Sequence, residues 1–556
     1  MKKFVVLCLA GLLVLAFGVT GYAQELKLEF RASGSIDVQS HLSENVPPLN
    51  PGATSIVNSL SANNNSLGVN GPQVGSNDYN TFKADGRPDR ALNRHVSYWD
   101  SRMSPRFEFA MGKELNAVLQ FEIDAGRFGS NQTHNAPGIG TRETEGVGWW
   151  STDRAAVEVK YMYFDVGLPY FGLPFPMSLR AGAQPLAVRP AFLNAVDGSG
   201  VTGAIKIDPV TINPMWFKLA NGQNLGGNWS NDWTNTSNNA YGLQLNGKVQ
   251  TFTLGGYGFY YRMDAYPSWA TSNTFAAAAV APSGFNQFLA GTQQANFWWL
   301  GIYADGKAGP VDINFDAGYD WGNVHDKLTP TMPDVKYSGW AARLKVDFPW
   351  EKFNFGVTGM YASGSDLNKT SAMGLAGQTP AGGLNQGLST RVNSWMVPPG
   401  SEIGATNSES AVFYGMEAGA SGGQGFAVTH QYYQASKGAF GGTWFAKLYG
   451  SAKVTPWYKV TVQGLYIGDT TSNGNTFGTA LRFPGTNSTL LRNDNYIGFE
   501  LDMINEFQIY KNLTFKVFGG YLWAGPAMDL YTGIPSVGNF SMHNPWAFRT
   551  RLLYTF

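Results

Sequence analysis

Alternation with a period of two constrains this chain most, because it sends successive side chains to opposite faces of an extended strand. From Leu513 to Trp523 the odd positions carry Leu513, Phe515, Val517, Gly519, Tyr521 and Trp523, and Lys516 falls on the other face. From Val311 to Asp320 the odd positions are Val311, Ile313, Phe315, Ala317 and Tyr319, and the even ones are Asp312, Asn314, Asp316, Gly318 and Asp320. The last stretch sets Trp546, Phe548, Thr550, Leu552, Tyr554 and Phe556 against Arg549 and Arg551.

A soluble sandwich alternates too, so the connections must decide between a protein core and a bilayer. Short turns, such as Gly112 to Asn116, Pro349 to Lys352 and Ile509 to Asn512, take turns with long polar stretches near 40–92, 128–152, 221–239, 264–295, 364–440 and 470–494. Short connections at one end and long ones at the other are the pattern of a transmembrane barrel. The strands predicted between them are 26–38, 94–111, 117–127, 154–167, 176–187, 200–207, 210–219, 240–249, 251–263, 296–306, 311–322, 335–348, 353–363, 441–454, 458–469, 495–507, 513–523 and 546–556. That is an all-β, single antiparallel barrel of about eighteen strands, with sixteen left open. The stretches 200–219 and 251–306 alternate least cleanly.

Composition agrees. Charged residues make up 14%, against roughly 25% in soluble domains, as expected where much of the surface meets lipid. Aromatics gather near strand ends, as at Trp149-Trp150, Trp298-Trp299, Tyr466 and Tyr521 to Trp523, where interfacial girdles belong. Lys2 and Lys3 precede an apolar run from Phe4 to Phe17, and Gly21-Tyr22-Ala23 stands before Gln24. This is the pattern of a cleaved secretory signal, residues 1–23, ahead of a barrel over 24–556. The expected location is the outer membrane of a Gram-negative bacterium. Cys8, the sole cysteine, lies in the leader, so the mature chain would hold no disulfide and no thiol chemistry. A net charge of +0 argues against nucleic acid as a partner.

If the apolar face meets lipid, the opposite face lines the barrel. Candidate pore-lining residues are Arg31, Arg102, Arg106, Glu122, Asp124, Lys160, Arg180, Asp312, Asp316, Arg343, Lys345, Glu500, Asp502, Arg549 and Arg551, with Asp100, Glu108, Glu158, Asp347, Lys447, Lys453 and Glu506 on the same face. Two readings stand side by side. The charges are ordinary salt bridges that keep a wide lumen wet, or they form a transverse field, with Arg31, Arg102, Arg106, Arg549 and Arg551 facing Glu500, Asp502 and Glu506. The long stretch 364–440 either folds inward as a constriction or lies at the surface.

Enzyme signatures are weak. Gly419 to Gly423 matches G-x-S-x-G but lies in a glycine-rich connection and not between strand and helix. His41, His95, His134, His325, His430 and His543 lie mostly in loops and show no ligand spacing, and His325-Asp326 reads as a solvated loop histidine rather than an acid–base pair. No cofactor or metal is predicted, and calcium in the outer loops has only a weak signal.

Ile497 to Asp502, Tyr510 to Thr514, Gly519 to Tyr521 and Gly525-Pro526 resemble the closing strands of the alginate-export family of outer-membrane porins. Arg106 to Phe109 with Gln120 to Ile123, and Leu179 to Pro185, are similar to its early strands. The resemblance implies eighteen strands and lining roles for Arg106, Glu122, Arg180, Glu500 and Asp502. It also implies a basic pore for an anionic polysaccharide, from which this balanced lumen departs. The resulting expectation is a passive porin for small hydrophilic solutes, not an enzyme. Its partners would be outer-membrane lipid and the barrel-assembly machinery, which in such barrels reads a C-terminal aromatic like Phe556; the oligomeric state stays open. Alternatives are a polysaccharide-export channel, the barrel sheath of a larger conduit, and a plugged structural or adhesive barrel.

Overall fold

A computed structural model describes residues 28–45, 95–112, 114–125, 156–168, 174–218, 238–264, 293–326, 334–364, 366, 391–398, 401, 409–415, 440–472, 493–528, 530–531, 539–540 and 543–556. The leader 1–23, Trp149-Trp150 and the Gly419 to Gly423 motif lie outside them.

Eighteen long strands form the wall: β1 (Leu28–Glu44), β2 (His95–Met111), β3 (Leu115–Ala125), β4 (Ala156–Leu168), β5 (Met177–Val188), β6 (Asn194–Ile207), β7 (Val210–Lys218), β8 (Asn238–Val249), β9 (Phe252–Met263), β10 (Gln293–Ala308), β11 (Val311–Asp326), β12 (Val335–Trp350), β13 (Phe353–Ala362), β14 (Thr443–Thr455), β15 (Tyr458–Asp469), β16 (Tyr496–Tyr510), β17 (Leu513–Ala524) and β18 (Trp546–Thr555). Each pairs antiparallel with its neighbours in sequence, and β1 pairs with β18 from Ser35↔Thr555 to Glu44↔Trp546, which closes the sheet. Closure leaves no lateral edge, the condition for a sheet surrounded by lipid.

All eighteen predicted strands are present, one for one. The start of β1, the end of β18 and the short turns lie at one end. Those turns place Gly112, Gln250, Gly309 and Glu351 at φ between 49° and 62°, the left-handed geometry that reverses two strands within a few residues.

The alternation separates two environments. Outward positions carry bare apolar side chains, including Leu300, Ile302, Leu448, Phe548 and Leu552. Two aromatic girdles bound them. Near the short turns, Phe507 stacks between Tyr458 and Phe515, and Tyr554 packs with Phe556. Near the other end, Trp298 stacks on Tyr260 at 4.1 Å and on Trp321 at 5.9 Å, and Tyr466 lies between Trp444 and Tyr496. Of the predicted girdle pair Trp298-Trp299, only Trp298 points outward. Trp299 is inside and fully buried, because adjacent strand residues cannot share a face.

The inside has its own core. Two parts of the stretch 364–440 fold into the barrel: residues 391–398 with Ser401, and residues 409–415. Trp395, Val397, Val412 and Phe413 have no accessible surface. They pack on inward side chains of β9, β10 and β14 to β17, among them Phe259, Phe297, Phe445, Leu465, Phe518 and Leu522. Arg391 and Val392 first pair parallel with Lys336 and Tyr337 of β12, which aims the chain inward. The wall makes room with glycine. A Cβ at Gly318 would meet Trp395 at 2.8 Å and Phe192 at 3.2 Å, and one at Gly520 would meet Ala411 at 2.5 Å.

Candidate functional site: the barrel lumen

The lumen has two contrasting sides. On β18 and β1 to β5 the inward face is charged; Asp100, Glu122 and Arg549 are buried, and Arg106, Glu108, Arg180 and Asp165 nearer the short turns are partly exposed. Arg551 donates to Asp37 at 2.9 Å. Arg102 reaches Glu122 at 3.0 Å, Glu122 also holds Lys160, and Lys160 extends to Asp197 at 3.4 Å. Nearer the short turns, Arg106 binds Glu108 at 2.8 Å and donates to the Tyr163 hydroxyl at 3.1 Å. Arg180 forks onto Asp165 at 2.6 and 3.0 Å and lies over the Tyr163 ring at 4.4 Å. Arg180 and Asp165 keep 34% and 35% of their side-chain surface, so water reaches this wall.

On β9 to β17 the charges nearer the long connections are dry and hold backbone in place, while Asp305 and Lys345 nearer the short turns each keep 36% of their side-chain surface. Glu500 accepts from Val412 N at 2.6 Å and Phe413 N at 3.0 Å, and Asp502 accepts from Ala411 N at 3.2 Å and the Gln463 amide at 2.8 Å. Asp320 receives Met396 N at 3.1 Å, while the Trp299 indole donates to Met396 O at 2.6 Å. The keystone is Glu409. Its carboxylate takes Arg343 at 2.7 and 3.1 Å, pairs with Lys447, and all three side chains are nearly inaccessible. Burial alone would push the Glu409 carboxyl up, but Lys447 and Arg343 outweigh it and hold it at about 2.

A third element narrows the passage. The tip between β5 and β6 crosses to the far wall, where Arg189 grips Asp305 and Asp316 and lies 4.3 Å from the Tyr303 ring centroid. Burial by itself would lower the Arg189 guanidinium, and the two carboxylates more than reverse it, raising it above its ordinary value. On the short-turn side of this tip lies a cavity of about 820 Å³, walled by Arg189, Asp305, Asp312, Asn314, Lys345 and Asp347 among others.

Several sequence expectations gain definite places. Arg102, Arg106, Glu122, Lys160, Arg180, Arg551, Asp312, Asp316, Arg343 and Lys345 face inward, and Arg549 does so while buried. Arg31 is inward but sits at the short-turn rim, 63% exposed and bound to Glu29. Asp124 opposes Arg102 in the β2–β3 register; its side chain lies outside what is described.

Three expectations are corrected. Glu500 and Asp502 do not look across water at the arginines, since residues 411–413 cover them; Glu506 pairs with Lys516 on the neighbouring strand. The transverse field therefore does not form between those groups. His41 is not a loop residue but an inward, buried member of β1, 3.3 Å from Asp100. The acid that the structure places beside His325 is Asp334, at 2.7 Å; the side chain of Asp326 lies outside what is described. Hydrogen bonds from His325 and Asn323 overcome partial burial and lower the Asp334 carboxyl.

Sequence reasoning missed Arg189, Asp305 and Glu409. Asp305 shares the odd face of β10 with Trp299 and Tyr303 and was readable from the pattern. Arg189 and Glu409 sit in connections, where no period marks them. Among the described residues no group of three or more His, Cys, Asp or Glu could hold a metal ion.

No family model matches the chain, and no curated protein matches it. Solved structures do. OccK11 (OpdR) of Pseudomonas aeruginosa is similar at 9% identity, with 96% of this chain and 99% of that one covered and a TM-score of 0.42. OccAB3 of Acinetobacter baumannii stands at 8%, 94%, 99% and 0.45, and OprD of Pseudomonas aeruginosa at 9%, 94%, 95% and 0.41. At such identities and scores, the fold and the site stand on this chain's own geometry.

Proposed function

We propose that the protein is an outer-membrane channel through which small hydrophilic solutes diffuse passively. One observation carries this reading: the wall from β18 through β5 is lined by charged side chains that keep contact with water inside a closed, lipid-clad barrel. Charge on an inward face is costly unless it is hydrated or paired, and here it is both. Eighteen strands leave room for an aqueous passage. The inward segments and the Arg189 tip take up part of that width, which fits small solutes better than an extended polymer. Paired charges of both signs also lack the basic excess that the alginate-export resemblance implies, so polyuronate export is the weaker reading.

The buried segment 409–415 favours one rival, a plugged structural barrel. Swelling of proteoliposomes separates the two. Neutral sugars of graded size should enter with a sharp cutoff near small oligosaccharides, and anionic oligouronates should enter no faster than neutral sugars of equal size. Vesicles that hold folded protein and admit no sugar would establish the plugged barrel instead.

A further inference from the structure

The β5–β6 hairpin joins the barrel wall only at its base. The β4–β5 ladder ends at Met162↔Ala183 and the β6–β7 ladder ends at Ser199↔Lys218. Beyond those points Gln184 to Val188 and Asn194 to Gly198 have only each other as ladder partners among the described residues. The hairpin departs at Gly182, whose φ is +129° and where a Cβ would lie 2.8 Å from the Tyr163 Cα. Only glycine takes that geometry without strain.

The tip is fastened to the wall five strands further round the barrel and to the inward segment that carries Trp395 and Ser401. Arg189 donates to Asp305 and Asp316 on β10 and β11. Ser401 donates to Leu193 O at 3.1 Å and accepts from Ala195 N at 3.1 Å. Phe192 packs on Trp395 with centroids 5.6 Å apart. Charge-assisted bonds and the burial of Leu186, Val188, Phe192 and Leu193 thus stand in for the cross-strand bonds that a strand gives up when it leaves a wall. A net hydrogen bond contributes about 0.5–1.5 kcal/mol and one to a charged group about 1.5–3 kcal/mol.

We propose that the β5–β6 tip is a two-position strap: Arg189 latches it across the lumen in a narrow state, and its release about Gly182 towards β4 gives a wider one. The motion itself does not depend on the channel reading; its effect on flow does.

Nitroxide labels on Ala191→Cys and Lys307→Cys, two positions that wall the same cavity, report the distance from tip to far wall in lipid. A Cys8→Ser background removes the one other thiol. The latched protein should give one short distance. Adding Arg189→Ala should create a longer population and raise the ratio of long to short at least about tenfold, the change that 1.4 kcal/mol produces. Arg189→Lys, which keeps the charge and loses the fork, should fall between. A folded Arg189→Ala protein with the single short distance unchanged overturns the strap. If that variant fails to fold, as judged by heat-modifiable migration, raising salt from about 0.1 M to about 1 M in the doubly labelled native background gives the same decision. Growth of the longer population supports the latch, and an unchanged distribution overturns it. Absence of current in every variant would count against the channel reading alone and leave the distance result standing.

Discussion

The two sides of the lumen use similar residues to opposite ends. On β18 and β1 to β5, arginine and carboxylate meet in pairs such as Arg180 and Asp165, each about one-third exposed. On β9 to β17, Arg343, Lys447 and Glu409 meet with almost no exposure and anchor a chain segment. Solvation separates the cases. An exposed pair contributes about 0–1 kcal/mol, and removing one partner of a buried pair costs about 3–5 kcal/mol. The wet side is built to be passed over, and the dry side is built to hold.

Substitutions can break this comparison. Glu409→Ala should cost about 3–5 kcal/mol, since it leaves Arg343 and Lys447 buried without the carboxylate that they share; urea unfolding in detergent, followed by tryptophan fluorescence, measures it. The same variant should raise channel conductance as residues 409–415 loosen. Asp165→Ala, on the wet side, should cost no more than about 1 kcal/mol. Equal losses in the two variants would remove the distinction.

Acid tests the dry side separately. The Glu409 carboxyl is held at about 2, below its ordinary 4.5. A lowered folded-state value means that its stabilisation is complete above about 4.5 and fades as pH falls towards about 2. A shift of that size corresponds to stability on the order of 3 kcal/mol. Glu409→Gln should flatten the unfolding midpoint between those pH values, and a variant as acid-sensitive as the native chain would assign the effect to other groups.

Glycine substitutions sharpen the contrast further. Gly318→Ala drives a methyl against Trp395 and Phe192 and should cost about 1–3 kcal/mol. At Gly359 nothing lies within 4 Å of an added Cβ, so Gly359→Ala should change stability by less than about 0.5 kcal/mol. Arg106→Ala should cost no more than about 1 kcal/mol, and its consequence should appear as a reversal potential shifted towards cations.

The same division explains what could be read from the sequence. Strand count and closure were legible because two faces that meet different environments enforce a clean period of two. The stretches 200–219 and 251–306 alternated poorly for a physical reason. Phe217, Tyr257, Phe259, Tyr261, Phe297 and Trp299 face inward segments rather than water, so both faces of those strands are apolar. Strand ends were misplaced where no lipid imposes a pattern. Gln39 to Glu44 extend β1 past the predicted end at 38, and Asn194 to Ser199 extend β6 before the predicted start at 200. The partners of Glu500 and Asp502 were illegible because backbone amides of a distant connection carry no residue signature.

Single-channel recording of the purified protein in a planar bilayer tests the central claim most directly. A water-lined passage narrowed on one side predicts steady current upon insertion, weak ion selectivity, and a conductance that increases in Glu409→Ala. Folded, inserted protein that passes no current, in native form and in Glu409→Ala alike, would contradict it.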